Sequence, residues 1–232
     1  MTGFGFVKTL LLSLQMLLLL LFVQPQKKQL KSTFQQGKAS YYGDEFDGRK
    51  TASGEIFRNA DFTAAHRALP FNTYLRVTNQ KNNLSVTVRV NDRGPFVKSR
   101  IIDLSESAAR RIGSYMHGLA SVKLEVLHII QHTKEIDSIF NCNDVNDCLG
   151  NPESLSNTSI SLWRTNDLIH MLYVANEIYL EEDIDKVLIV GQGLANYRIY
   201  HLVITGISNK KIAKEQIDYF ERKGFMDVRI FK

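Results

Sequence analysis

The chain of 232 residues predicts a small all-β barrel followed by a small α+β domain, on three observations. Short runs alternating polar and apolar residues, separated by turn residues, fill residues 37–130. A stretch rich in Asn, Asp and Ser follows at 131–158 and reads as a linker. From 159 to 232 the rhythm changes to strands interleaved with helical apolar spacing.

In the first part, Lys38–Tyr42, Phe62–Ala65, Tyr74–Thr78, Ser85–Val90 and Val122–Ile129 read as strands. So many short strands in one segment suit a small barrel. One helix interrupts them: Ser105 is placed as its N-cap, Ala108, Ala109 and Ile112 lie along one face, and Gly113 ends it. In the second part the order is strand Ile160–Trp163, helix Asn166–Leu180, strands Lys186–Val190 and Tyr197–Ile204, helix Lys210–Lys223 and strand Asp227–Phe231. Gly191 and Gly193 mark a hairpin between the central strands, and Gly224 is a C-cap candidate. This β-α-β-β-α-β order predicts a ferredoxin-like, four-stranded antiparallel sheet backed by two helices, with one face free to bind something.

Residues 1–26 differ in kind. After Lys8, the fifteen residues Thr9–Val23 are dominated by leucine, and a polar stretch follows. That core suits a signal peptide better than a full membrane span, which needs about 20 residues. No small-residue cleavage site stands near Val23, and Lys27, Lys28 and Lys31 favour a cytoplasmic flank. A cleaved signal peptide and a retained membrane anchor both stay open, and either predicts an exported protein in the periplasm or cell envelope.

The net charge of +5 is spread among acids rather than gathered in a block, which argues against nucleic-acid binding. Cys142 and Cys148 flank a polar loop, which in an exported chain points to a small disulfide. His128 and His132 are four apart, but they follow a strand-like run and lack a third ligand, so no metal is expected.

The chemistry concentrates at Val90-Asn91-Asp92-Arg93-Gly94-Pro95-Phe96 and Arg100-Ile101-Ile102-Asp103-Leu104-Ser105, where two carboxylates and two arginines surround a turn that ends a strand. Read with Gly37-Lys38-Ala39-Ser40-Tyr41-Tyr42-Gly43, Thr51-Ala52-Ser53-Gly54-Glu55 and Thr63-Ala64-Ala65-His66, these blocks closely resemble the rare lipoprotein A (RlpA) family, over about residues 37–130. The resemblance implies a double-psi β-barrel, related to that of expansins, which cleaves bacterial peptidoglycan as a lytic transglycosylase without a cofactor. It also implies that the tail, through Asn196-Tyr197-Arg198-Ile199 and Lys223-Gly224-Phe225, is a divergent SPOR-like domain binding stem-peptide-free glycan strands, with divisome association as a further expectation. The family's lipid-modified cysteine has no counterpart, because no cysteine precedes Cys142, so an N-terminal lipoprotein is not expected.

Breaking a glycosidic bond requires a proton on the leaving oxygen and stabilisation of an oxocarbenium-like transition state. A lytic transglycosylase then uses the sugar's own C6 hydroxyl in place of water, so one residue can serve as acid and then base. By its match to the family's Asp-Arg-Gly-Pro motif, Asp92 is the first choice for that role. Glu55 is expected as a partner that raises the pKa of Asp92 by like-charge repulsion, or as the donor itself. His66 is expected to orient a carboxylate or bind a sugar hydroxyl. Asp103 and Arg93 are read as site support, and Tyr41 and Tyr42 as faces for sugars, one of the pair turning into the core. Two other readings stand beside the enzyme: a non-catalytic, expansin-like wall-binding protein, and a division-associated interaction protein whose barrel is a scaffold.

Overall fold

The computed structural model describes residues 34–127, 145–147, 153–155, 158–181, 184, 186–194 and 197–231. The expected export segment, both cysteines, and His128 and His132 lie outside the described residues.

Six strands close into a barrel: β1 (Phe34–Tyr41), β2 (Thr63–His66), β3 (Tyr74–Asn79), β4 (Ser85–Asp92), β5 (Arg100–Leu104) and β6 (Ala120–Val126), in the spatial order β1-β5-β2-β4-β3-β6. Two of the pairings, β1 with β5 and β2 with β4, are parallel, and the rest are antiparallel. Neighbours far apart in sequence are thus joined in the double-psi arrangement. Alternation along each strand fills the interior: Leu75 and Val77, Val86, Val88 and Val90, Ile102 and Leu104, Val122 and Leu124 are all buried. Strand β5 was not foreseen, because five residues, Arg-Ile-Ile-Asp-Leu, are too few for periodicity to stand out. Helix α1 (Glu106–Arg111) follows it, and the Ser105 hydroxyl accepts from the Ala108 N–H as the expected cap.

The C-terminal sheet has the order β11-β8-β10-β9-β7, all antiparallel, from β7 (Val145–Asp147), β8 (Ser159–Thr165), β9 (Val187–Leu194), β10 (Tyr197–Ile204) and β11 (Arg229–Phe231). Helices α2 (Leu168–Glu181) and α3 (Lys210–Arg222) complete the β-α-β-β-α-β order. Two features differ from expectation. A fifth strand, β7, comes from within the stretch read as a linker. Gly191 and Gly193 lie inside β9 rather than between the strands, and β9 stays paired with β10 as far as Leu194 opposite Tyr197.

The central strands β9 and β10 bury side chains on both faces, where one open face was expected. Val187, Ile189, Leu202 and Ile204 join the core shared with the barrel, while Leu188, Val190 and Val203 form a second cluster with Val145 and Phe231. The continuous run Val187-Leu188-Ile189-Val190 puts apolar side chains on both sides of the strand, as in sheets covered on both faces.

The barrel and the C-terminal sheet share one hydrophobic core. Phe62 of the barrel packs edge-on against Trp163 and Phe225, with ring centroids 5.2 and 5.3 Å away. Burying a ring of that size contributes about 2–3 kcal/mol. Strand β4 outruns the four-residue β2, leaving the backbone of Thr87 open on that side. Helix α2 covers it: the Glu177 carboxylate accepts from the Thr87 N–H at 3.1 Å and from its hydroxyl, and the His170 imidazole lies 3.2 Å from the Thr87 carbonyl.

At Gly224, which follows α3 with φ of +96°, a Cβ would meet the Arg111 amide nitrogen and the Ser107 carbonyl oxygen, each at 2.7 Å. Gly224→Ala should therefore destabilise the protein by about 2–4 kcal/mol, from left-handed strain plus overpacking against backbone. Denaturant unfolding measures it, and a loss below about 0.5 kcal/mol, the range of a neutral surface change, would mean that the close approach is not constraining.

Candidate active site

Register alone brings the two motif aspartates together. In the barrel, Ala65 of β2 is paired on one side with Asp92 of β4 and on the other with Asp103 of β5, which in turn pairs with Ser40 of β1. Ser40, Asp103, Ala65 and Asp92 thus form a row across four strands. At the usual strand spacing the two carboxylate-bearing Cα atoms stand about 10 Å apart. Ala65, fully buried and carrying only a methyl group, leaves the space between them open. Gly94 closes over this row: a Cβ there would lie 3.7 Å from both Ala65 Cβ and Asp103 Oδ2.

Above the row lies a cleft of about 650 Å³, whose lining includes Asp92, Asp103, Tyr41, Tyr42, Arg93 and Glu45. Asp92 Oδ1 accepts from the backbone N–H groups of Ala52 and Arg93, both at 2.8 Å, and Oδ2 accepts from the Tyr42 hydroxyl at 2.7 Å. Burial, followed by the bond to Asp92 and the charges of Asp92 and Asp103, pushes the Tyr42 pKa above its ordinary value, so this hydroxyl keeps its proton and donates. Asp103 accepts from the Ser40 hydroxyl and pairs with Arg100 at 3.6 Å.

Neither tyrosine is wholly given to the core. Tyr41 packs on Tyr115 with centroids 4.9 Å apart, and Tyr42 sits between Phe46 and Phe57 at 5.3 and 4.7 Å, yet both line the cleft. The Arg93 guanidinium stacks 3.7 Å over the Phe71 ring and donates to the His66 carbonyl at 3.3 Å, which fixes the turn that presents Asp92.

Glu55 and His66 are placed elsewhere. Glu55 lies outside the cleft lining, in a bidentate pair with Arg89 at 2.7 and 2.8 Å and a further bond from the Asn91 amide at 3.2 Å. The Arg89 hydrogen bonds, acting against partial burial, hold its carboxyl below the usual pKa, so Glu55 is ionised and its charge is matched. His66 also lies outside the lining. Its Nδ1 accepts from the N–H groups of Ala68 and Leu69, at 3.3 and 3.0 Å, so Nε2 carries the proton and donates to Gln35 Oε1 at 3.1 Å. Burial, then Arg67 and Arg93, lowers the His66 pKa and keeps the ring neutral.

Residues 34–124 match the lytic transglycolase family. The chain is 51% identical over 104 residues to the endolytic peptidoglycan transglycosylase RlpA of Haemophilus influenzae, covering 45% of this chain and 36% of that protein. It is 57% identical over 91 residues to the protein of the same name from Campylobacter jejuni, covering 39% of this chain and 33% of the relative. Against the Helicobacter pylori protein the identity is 53% over 103 residues, covering 44% and 32%. The barrel is the part of the chain that is similar to these RlpA proteins. The chain spans about a third of the length of these curated relatives, and residues 159–232 lie beyond the family match.

Sequence reasoning missed three residues of the barrel that shape its cleft. Glu45, on a short 3₁₀ turn (Asp44–Phe46), supplies a third carboxylate to the lining. Arg67 donates to the carbonyls of Pro95 at 2.6 Å, Val97 at 2.7 Å and Arg100, pinning the loop that carries Phe96. Ser40 holds Asp103. Ser40 and Arg67 lie in or beside motif stretches, but no local signal marks their partners, since Ser40 meets Asp103 only through strand pairing across 63 positions of sequence.

Proposed function

We propose that this protein is a peptidoglycan lytic transglycosylase, cleaving the MurNAc–GlcNAc bond of stem-peptide-free glycan strands and leaving 1,6-anhydroMurNAc ends. The observation that carries this reading is Asp92, aimed into an open cleft by three donors, on a barrel about half identical to RlpA transglycosylases. With Oδ1 held by two amides, Oδ2 is the oxygen that exchanges the proton. In the first step it protonates the glycosidic oxygen as the bond to the anomeric carbon breaks. In the second it takes the proton of the C6 hydroxyl as that oxygen closes on the same carbon. Asp103 and Glu45 supply negative charge facing the oxocarbenium-like carbon.

Arg49 and Lys50 stand on the rim without a carboxylate partner among the described residues. They suit the lactyl carboxylates that a strand without stem peptides exposes. Phe96, 89% exposed at the same rim, offers a ring face for a sugar. The site of action is the cell envelope, where the substrate lies.

Mass spectrometry of peptide-free glycan strands incubated with the protein tests this directly. Anhydro-ended fragments support the reading, and ends carrying an added water make the protein a hydrolase. A second reading, glycan binding without cleavage, is favoured by the placement of Glu55 and His66 in bonds away from the cleft. Intact strands retained by the protein would select it.

Tyr42→Phe should lower turnover by about tenfold to a hundredfold with little change in KM, because it removes one hydrogen bond to the acid/base without altering the ring packing. An unchanged kcat would assign Tyr42 to packing alone.

A further inference from the structure

We propose that Asp167, at the head of α2 in the C-terminal domain, is a positioning residue for the Asp92 cleft, acting through Arg89 and Glu55. The inference rests on the functional reading above for its activity readout only.

Arg89 spends its guanidinium on both parts of the molecule. Nη1 and Nη2 engage Glu55, Nη1 also donates to Asn72 Oδ1 at 2.9 Å, and Nε lies 3.1 Å from Asp167 Oδ2 in an ion pair that lacks hydrogen-bond alignment. Both ends of the Asp167 contact are sheltered, with 13% of the Arg89 side chain and 19% of the Asp167 side chain exposed, so the charge interaction is weakly screened. Asp167 is itself held in place: the Tyr74 hydroxyl donates to its carboxylate at 2.8 Å, and the same carboxylate caps α2 by accepting from the His170 N–H at 3.0 Å.

The other end of the relay reaches the cleft through one tight turn. Glu55 closes residues 51–55, its carbonyl accepting from the Thr51 N–H at 2.8 Å, and the Ser53 N–H donates to the Asn91 carbonyl at 3.2 Å. The Ala52 N–H between them donates to Asp92 Oδ1. Arg89 and Asn91 alternate on β4 and both grip the Glu55 carboxylate, whereas Asp92, next along the strand, serves the cleft. Fixing Arg89 from the C-terminal side therefore fixes Glu55, the turn, and the amide that aims Asp92.

Asp167→Asn in the full chain is the test, because asparagine keeps the helix cap and the acceptor for Tyr74 while removing the charge opposite Arg89. On peptide-free glycan strands, kcat should fall about fivefold to tenfold with KM within twofold, since Asp167 does not line the cleft. In a Glu55→Gln background the same substitution should add little, because the relay is already cut. An unchanged kcat, or an equal loss in both backgrounds, would overturn the proposal. The ¹H–¹⁵N signals of Arg89 Nε and the Ala52 amide give a readout independent of turnover. Both should shift in Asp167→Asn, and a stationary Ala52 signal would overturn the relay even if the wild type released no anhydro ends, an outcome that would count against the functional reading alone.

Discussion

Asp92→Asn should lower the release of anhydro-ended fragments by about a thousandfold or more, the scale expected when a residue serving as both acid and base is removed. Folding should be nearly unaffected. Asparagine preserves the oxygen that accepts from the Ala52 and Arg93 amides, and the Tyr42 hydroxyl can turn to accept from its new amide. Glycan binding, measured by co-sedimentation with peptide-free strands, should survive. Retained turnover in Asp92→Asn would transfer the role to Glu45 or Asp103, the other carboxylates of the cleft, and the corresponding Glu45→Gln and Asp103→Asn variants would then decide between them.

The second large effect is on stability in mild acid. His170 and His201 are buried, at 1% and 5% exposure, and burial as the leading cause lowers the pKa of each to about 4 from the ordinary 6.5. For His170 the Asp167 charge works against this and Arg89 with it, while for His201 the cations Arg229 and Arg164 reinforce it against Asp227. The unfolded chain binds protons at these rings below pH 6.5 and the folded chain does not until about 4. Stability is therefore fully present above pH 6.5 and is lost as pH falls towards 4, by a few kcal/mol for the pair together.

Glu55, whose carboxyl is held low by Arg89, loses its stabilising contribution in the same direction at lower pH. Asp61, raised chiefly by burial, works the opposite way. Urea midpoints between pH 7.5 and 4.5 measure the slope, and replacing His170 with Gln should flatten it. A midpoint independent of pH over that range would mean that both rings titrate in the native state as they do in the unfolded chain. Because His170 docks on Thr87 of the barrel while His201 lies in the C-terminal sheet, the loss should loosen the junction that carries Arg89 and Asp167.

Local pattern was enough for most of the elements. Alternation gave the strands around Tyr74, Ser85 and Val122, Ser105 announced the start of α1, and the β-α-β-β-α-β order of the second half could be read from its changing periods. The run Val187–Val190 also carried the signal of a strand covered on both faces, although it was read as one with a free side. Strand β7 gave no such signal, since three residues of mixed polarity carry no period and pair only because β9 is there.

The candidate site divides along the same line. The motif residues Asp92, Asp103, Tyr41, Tyr42 and Arg93 were legible from sequence as members of one cleft. That Glu55 belongs to Arg89 and His66 to its own turn was not, because partner choice depends on which face of β4 and β2 each side chain meets after the barrel closes. Sequence by itself determined which residues alternate, cap and turn, since those preferences act over a few positions. Tertiary structure alone decided that Asp92 and Asp103 flank one alanine, and that a carboxylate from the C-terminal half pairs with Arg89. Those contacts join strands and helices 27 to 78 positions apart, and only pairing register and shared burial set them.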